Sequence, residues 1–197
     1  MKDLYISTDI EADGPIPGEY SMLSLGAVAI DSTGKIWGEF YRKLKRLPKA
    51  KQHPETMKWW KNNISSYKEA TSNQENPKKV MQDYVTWLKE IKEKTKAEEL
   101  VFYSSPLCYD YMFVYWYMVK FVNSFKSEQI FKIPFAYNGV DFTSYAMGKK
   151  NLTYTDALTK NLPQSWFENL EKNSHKSIDD ARRQGLILVN MLKDNRV

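Results

Sequence analysis

Sulfur and imidazole are scarce in this chain. Its 197 residues include one cysteine, Cys108, and two histidines, His53 and His175. A lone thiol cannot close an internal disulfide, which fits a reducing compartment, and a single Cys is read first as packing rather than as a nucleophile. Long hydrophobic runs are missing as well. None approaches the roughly eighteen apolar residues that a membrane span requires, so no membrane association is expected. Residues 1–4 lead straight into a strand-like run, with no apolar leader or small-residue cleavage site. No secretory signal is expected on that basis, and a cytoplasmic setting is the default. Internal repeats and low-complexity linkers are also absent from the sequence.

What is present suffices for one well-buried core. Hydrophobic residues make up 42% of the 197, and that length suits a single domain over residues 1–197. The formal charge is +5 and the pI about 9.0. This permits a polyanionic partner but is far from the charge density of a dedicated nucleic-acid tail. The lysine-rich stretches 43–51 and 89–96 read more simply as solvated faces.

Strand-like runs open the chain at 4–10, 22–30 and 36–44, the last two joined by a turn at 31–34. Such short connections predict antiparallel neighbours. A helix start follows at Pro54, and Pro77 opens a longer helix to about residue 94 in which Val80, Tyr84, Trp87, Leu88 and Ile91 recur at helical spacing. The polar stretch 72–79 between them is expected to be a mobile loop. A short buried strand is expected at 100–103 and an aromatic-rich helix at 108–125. Segment 140–147 follows, and 179–192 reads as an amphipathic helix. Strands first, then helices alternating with strands, predict an α/β mixed sheet with helices on its faces.

Two carboxylates stand out at the end of the first strand. Asp9 and Glu11 are two residues apart, so they point to the same face and can grip one cation. Alone, this pair is a weak signal. Asp110, expected in the first turn of the helix after strand 100–103, is a possible partner, although a carboxylate there is also favoured by the helix dipole alone. Near the C-terminus, His175 precedes a helix whose first turn carries Asp180. Ser177 is a good N-cap, and Asp180 could merely close a capping box with it. That alternative leaves His175 unexplained. His53, in a lysine-rich stretch before Pro54, is read as an exposed loop residue.

Together these positions give Asp-x-Glu on the first strand, an Asp about a hundred residues later, and His-x4-Asp near the C-terminus. The chain resembles the DnaQ-like 3′-5′ exonucleases of the DEDDh class, which include ribonuclease T and oligoribonuclease. The likeness runs from Asp9 to Asp180, includes residues 21–29 on the second strand, and is most specific over residues 175–182. It implies a ribonuclease H-like, mixed five-stranded sheet with helices on both faces. It also implies two Mg2+ or Mn2+ ions held by Asp9, Glu11, Asp110 and Asp180, with His175 as general base. The chemistry of the residues agrees: converging carboxylates need cations to offset their repulsion, hard oxygen ligands suit magnesium or manganese, and an imidazole titrates near neutral pH. Asp179 competes with Asp180, but it lies about 100° round the helix, and the spacing selects Asp180.

The sequence departs from its relatives in places. Ala12 stands where many carry threonine, the loop 13–20 is long and rich in proline and glycine, and Lys176 and Ser177 flank the histidine. Ala12 could hold a terminal 3′-OH only through its backbone. Met22 and Leu23 are expected as apolar wedges, and Tyr109, Tyr111 and Trp166 as stacking platforms, with packing as the alternative for each. Trp59 and Trp60 point about 100° apart on their helix, so at most one is fully buried. The expected partners are 3′ ends of single-stranded RNA or DNA, RNA slightly favoured because the domain stands alone, and a homodimer is possible. Two rival readings are a non-catalytic nucleic-acid-binding module on the same fold and a structural protein whose acidic residues only cap helices.

Overall fold

The first strand, β1 (Asp3–Ala12), sorts its side chains by parity. Leu4, Ile6 and Ile10 enter one hydrophobic cluster, whereas Tyr5 packs in others on the opposite face. A computed structural model describes residues 2–122, 134–135 and 138–194. β2 (Met22–Ile30) is buried at all nine positions, as a strand covered on both faces must be. It runs antiparallel to β1 and to β3 (Ile36–Lys43). β4 (Glu99–Ser104) and β5 (Val140–Asp141) add in parallel, giving the order β3-β2-β1-β4-β5.

Six α-helices lie among the described residues: α1 (Pro54–Asn62), α2 (Ile64–Thr71), α3 (Pro77–Thr95), α4 (Leu107–Phe121), α5 (Phe142–Lys150) and α6 (Ser177–Lys193). Asn76 caps α3 by accepting from the Lys78 amide at 2.9 Å, and Pro77 fits the first turn, where no intrahelical donor is needed. Val80, Tyr84 and Leu88 of α3 then meet Phe113, Val114 and Tyr117 of α4 over one face of the sheet. α6 covers the other. Its Ile178, Ala181 and Val189 join Val28 and Ile30, while Ile187, Leu188 and Met191 join Tyr103 and Trp166. The mixed sheet with helices on both faces is therefore as expected.

Local departures have local causes. The helix at Pro54 breaks at Asn63, whose φ of −122° is not helical, so a second helix, α2, follows that the sequence pattern did not reveal. The stretch expected to be a mobile loop is instead partly helix α3 and partly tied to the sheet edge. Glu75 donates its amide to the Lys43 carbonyl and accepts from the Lys45 amide, both at 2.8 Å. The aromatic helix ends at Phe121, and 123–125 lie outside the described residues. Of the tryptophan pair, Trp60 is buried and donates to the Ala12 carbonyl, whereas Trp59 is exposed. No described helix is long and apolar enough to cross a membrane.

Candidate active site

Asp9 and Glu11 project from β1 toward α6, on the same face as Ser7. Opposite them in register on β2 stand Gly26 and Ser24. A Cβ on Gly26 would lie 2.3 Å from the Ser177 carbonyl carbon, so the first turn of α6 rests directly on the strand. The Oγ atoms of Ser24 and Ser177 meet at 3.0 Å beside it. One turn further on, Ser7 Oγ donates to the Ala181 carbonyl at 2.7 Å, and a Cβ on Gly185 would come within 3.1 Å of Ser7 Cβ. Small residues thus let the helix approach closely enough to bring Asp180 to the β1 carboxylates.

Asp180 is not closing a capping box. Its Oδ1 accepts from the Ser174 amide and its Oδ2 from the His175 amide, each at 2.9 Å. The helix begins at Ser177 after Lys176, without a side-chain cap, which corrects the expected N-cap role of Ser177: its hydroxyl is turned inward to Ser24. His175 is held at a φ of +54°, with its ring edge-on to Trp59 at a centroid distance of 4.9 Å. Ser66 of α2 secures the same loop by donating to the Ser174 carbonyl at 3.0 Å. Ligand atoms of Glu11, His175 and Asp180 all lie within 4.8 Å of one another. Asp179 points away and pairs with Lys176 and Arg182 at 3.1 and 3.0 Å.

Asp110 is buried in the first turn of α4. Its Oδ1 accepts from the Ile10 amide at 3.3 Å, and its Oδ2 has no hydrogen-bond partner among the described residues. Burial, and then the charges of Asp110, Glu11 and Asp180, push Asp9 well above the usual carboxylate range, opposed by a hydrogen bond from Gln184. Burial and then Asp180 and Asp110 raise Glu11 to about 8, and burial raises Asp110 to about 8. Carboxylates buried together without a cation have to hold protons in this way. Mutual repulsion of the buried carboxylates and an all-oxygen set beside one imidazole fit a divalent cation such as magnesium or manganese.

The expected substrate contacts fare less well. Met22 and Leu23 are 0% exposed and Trp166 is 1% exposed, so these three expectations are corrected. Met22 packs in the main core and Leu23 beside Trp60, while Trp166 donates its Nε1 to Asp194 at 2.7 Å. Ala12 is buried, with its carbonyl taken by Trp60 Nε1. Tyr109 is half-buried and donates to the Gly14 carbonyl at 3.2 Å, near the carboxylates. His53 is not a free loop residue: half-buried, it caps α1 and packs edge-on against Tyr20. Cys108 is exposed rather than packed.

Two site residues escaped sequence reasoning. Gln184 donates Nε2 to Asp9 Oδ1 at 3.0 Å, and Gly26 admits α6. A signal for Gln184 existed: it lies four residues beyond Asp180 and so shares its helix face.

This sheet order with helices on both faces is a ribonuclease H-like fold, shared with solved exonuclease structures. Residues 5–192 match the 3′-5′ exoribonuclease Rv2179c-like domain, and the chain belongs to that family of 3′-5′ exonuclease enzymes. The chain is similar over 97% of its length to Pop2p from S. pombe in its Mg2+- and Mn2+-bound form, with 12% identity, 83% of that chain covered and a TM-score of 0.65. It is similar over its whole length to the zinc-bound complex of E. coli ExoI with single-stranded DNA, with 13% identity, 41% of that chain covered and a TM-score of 0.66. A 3′-exonuclease that recognises a histone mRNA stem-loop gives a TM-score of 0.67 at 12% identity, over 98% of this chain and 64% of the other. A 26-residue segment is 62% identical to the 3′-5′ DNA exonuclease Cap18 of Escherichia coli, spanning 13% of this chain and 14% of that relative.

Proposed function

We propose that the protein hydrolyses single-stranded nucleic acid stepwise from its 3′ end, with divalent cations at Asp9, Glu11, Asp110 and Asp180 and with RNA favoured over DNA. The observation that supports this reading is that ligand atoms of Glu11, His175 and Asp180 lie within 4.8 Å of one another, with Asp9 and Asp110 close enough for their charges to act on the same carboxylates. Bound there, Mg2+ or Mn2+ ions would offset the carboxylate charge, take up the scissile phosphate and make a ligated water more acidic. Asp9 and Glu11 face the site from one strand and Asp180 from the helix above, so their oxygens supply ligands from two directions. Asp110 adds a buried oxygen whose neighbour among the described residues is Ser104.

His175 would take the proton of the attacking water at a ring nitrogen. Trp59 limits the ring on one side, and Asp180 fixes the backbone that carries it, so the base is placed before substrate arrives. Gln184 holds Asp9 in orientation without adding charge. The family description supports RNA, whereas the short match to Cap18 is to a DNA exonuclease. Incubation with Mn2+ and 5′-labelled RNA and DNA oligomers tests both points. A ladder shortening by one nucleotide from the 3′ end, faster on RNA, is expected; internal cuts without stepwise shortening would overturn the exonuclease reading.

A further inference from the structure

Next to the carboxylates, between the end of β4, the start of α5 and the middle of α6, lies a cleft of about 270 Å3 whose walls include Tyr103, Phe167, Lys172, Arg183 and Gln184. It adjoins the site through Gln184, whose amide nitrogen is bonded to Asp9 at 3.0 Å. Two polar atoms of its wall residues, Tyr103 Oη and Gln184 Oε1, are buried with no hydrogen-bond partner among the described residues. Burial, and then Asp141, push the Tyr103 phenol upward, which keeps it a donor.

The charges of the cleft point the same way. Arg182, one residue from the cleft's own arginine, is held by Glu39 at 2.9 Å and Asp179 at 3.0 Å. Arg183 and Lys172 make no ion pair among the described residues. Arg183 is nevertheless fixed: its Nε donates to the Glu171 carbonyl at 2.8 Å, and its guanidinium lies 5.9 Å from the Phe167 ring centre. A positioned guanidinium, a second cation without an ion pair among the described residues and an aromatic ring form a set suited to phosphate and to sugar or base.

We propose that this cleft binds one nucleotide unit, its phosphate against Lys172 and Arg183 and its sugar or base against Phe167 and Gln184. The inference rests on the exonuclease reading, and the unit is either a nucleotide of the strand beside the scissile bond or a free 5′-monophosphate. The test compares wild type, the Lys172→Ala/Arg183→Ala pair and an Arg182→Ala control. In EDTA, where nothing is cleaved, binding of a fluorescent single-stranded RNA octamer is measured across salt concentrations, and AMP binding by titration.

If the strand occupies the cleft, losing the one phosphate that Lys172 and Arg183 share makes the slope of log K against log salt shallower by about 0.7 in the double variant. Lys172→Ala alone, a change at an exposed side chain, accounts for about half of that, and Arg182→Ala for almost none. Loss of AMP binding with an unchanged octamer slope assigns the cleft to the free nucleotide. Unchanged slope and unchanged AMP binding in a double variant that melts like wild type overturn the proposal. A wild-type protein that neither binds the octamer nor cleaves it with Mn2+ overturns the exonuclease reading instead.

Discussion

The two faces of β1 and β2 carry opposite kinds of residue. Toward α3 and α4 they present Leu4, Ile6, Ile10, Leu25, Ala27 and Ala29, all 5% exposed or less. Toward the first half of α6 they present Ser7, Asp9, Glu11, Ser24 and Gly26. One face gains by removing hydrocarbon from water. The other gives up much of that gain, because small residues let a helix come close and buried carboxylates repel one another. At this end of the strand pair residue parity therefore separates packing from chemistry, while Tyr5, Val28 and Ile30 continue apolar packing against α6 at the other end of the same face.

Breaking the chemical face should leave the fold standing. His175→Ala is expected to lower the cleavage rate by about 10²–10⁴, with Mn2+ affinity and melting temperature close to wild type. Near-normal turnover would remove the general-base role. Lost Mn2+ binding, measured by calorimetry, would instead make His175 a ligand, which its place within 4.8 Å of Glu11 and Asp180 allows. The converse substitution lies across the sheet. Leu25→Ala, at a fully buried position, is expected to cost about 2–5 kcal/mol in urea unfolding while the surviving folded protein keeps its rate constant. Equal losses of stability and rate in both variants would dissolve the comparison.

The same division governs what was legible in the sequence. The apolar periods of β1, β2 and α3 and the order of the carboxylates were readable, because alternation and helical spacing are local patterns. The close docking of α6 was not. It depends on Gly26 and Ser177, some 150 residues apart in sequence, and neither carries a local sign of the other. Met22, Leu23 and Trp166 misled for a related reason: an apolar side chain looks alike whether it will line a groove or fill a core, and only the tertiary packing decides. The second helix after Pro54 was hidden because a single residue, Asn63, turns the chain.

Metal and pH offer a milder test. Glu11 and Asp110, raised to about 8, and Asp9, also raised, stay protonated in the fold where the unfolded chain has already ionised. Between about pH 4 and 8 the native state therefore binds more protons, and without metal its stability should fall as pH rises through that window. Cations that replace those protons should act most strongly at the alkaline end. Mn2+ at a hundred times its dissociation constant is expected to add about 2.7 kcal/mol at pH 8, a rise in melting temperature of roughly 5–10 °C. At pH 5 the gain should shrink as protons compete for the same oxygens. Melts unaffected by Mn2+ at both values would separate the carboxylates from metal binding.

The smallest change reaches furthest across the comparison. Gly26→Ala adds one methyl group to a buried strand, a substitution that on the α3 side of the sheet would add apolar contact. Here the new carbon would stand 2.3–2.4 Å from backbone atoms of Ser177 and Ile178, which cannot rotate away as a side-chain tip could. The first turn of α6 must move, and Asp180 and the His175 loop bonded to it must move together. The expected cost is about 1–3 kcal/mol of stability, as for overpacking elsewhere, accompanied by a fall in rate that Leu25→Ala lacks. Because Asp180 holds the amides of both Ser174 and His175, the loop should shift as a unit. Weakened Mn2+ binding and slowed cleavage should therefore appear in the same variant. Full activity in Gly26→Ala, with the stability loss present, would mean that the carboxylates tolerate the displacement and that the small residues serve packing alone.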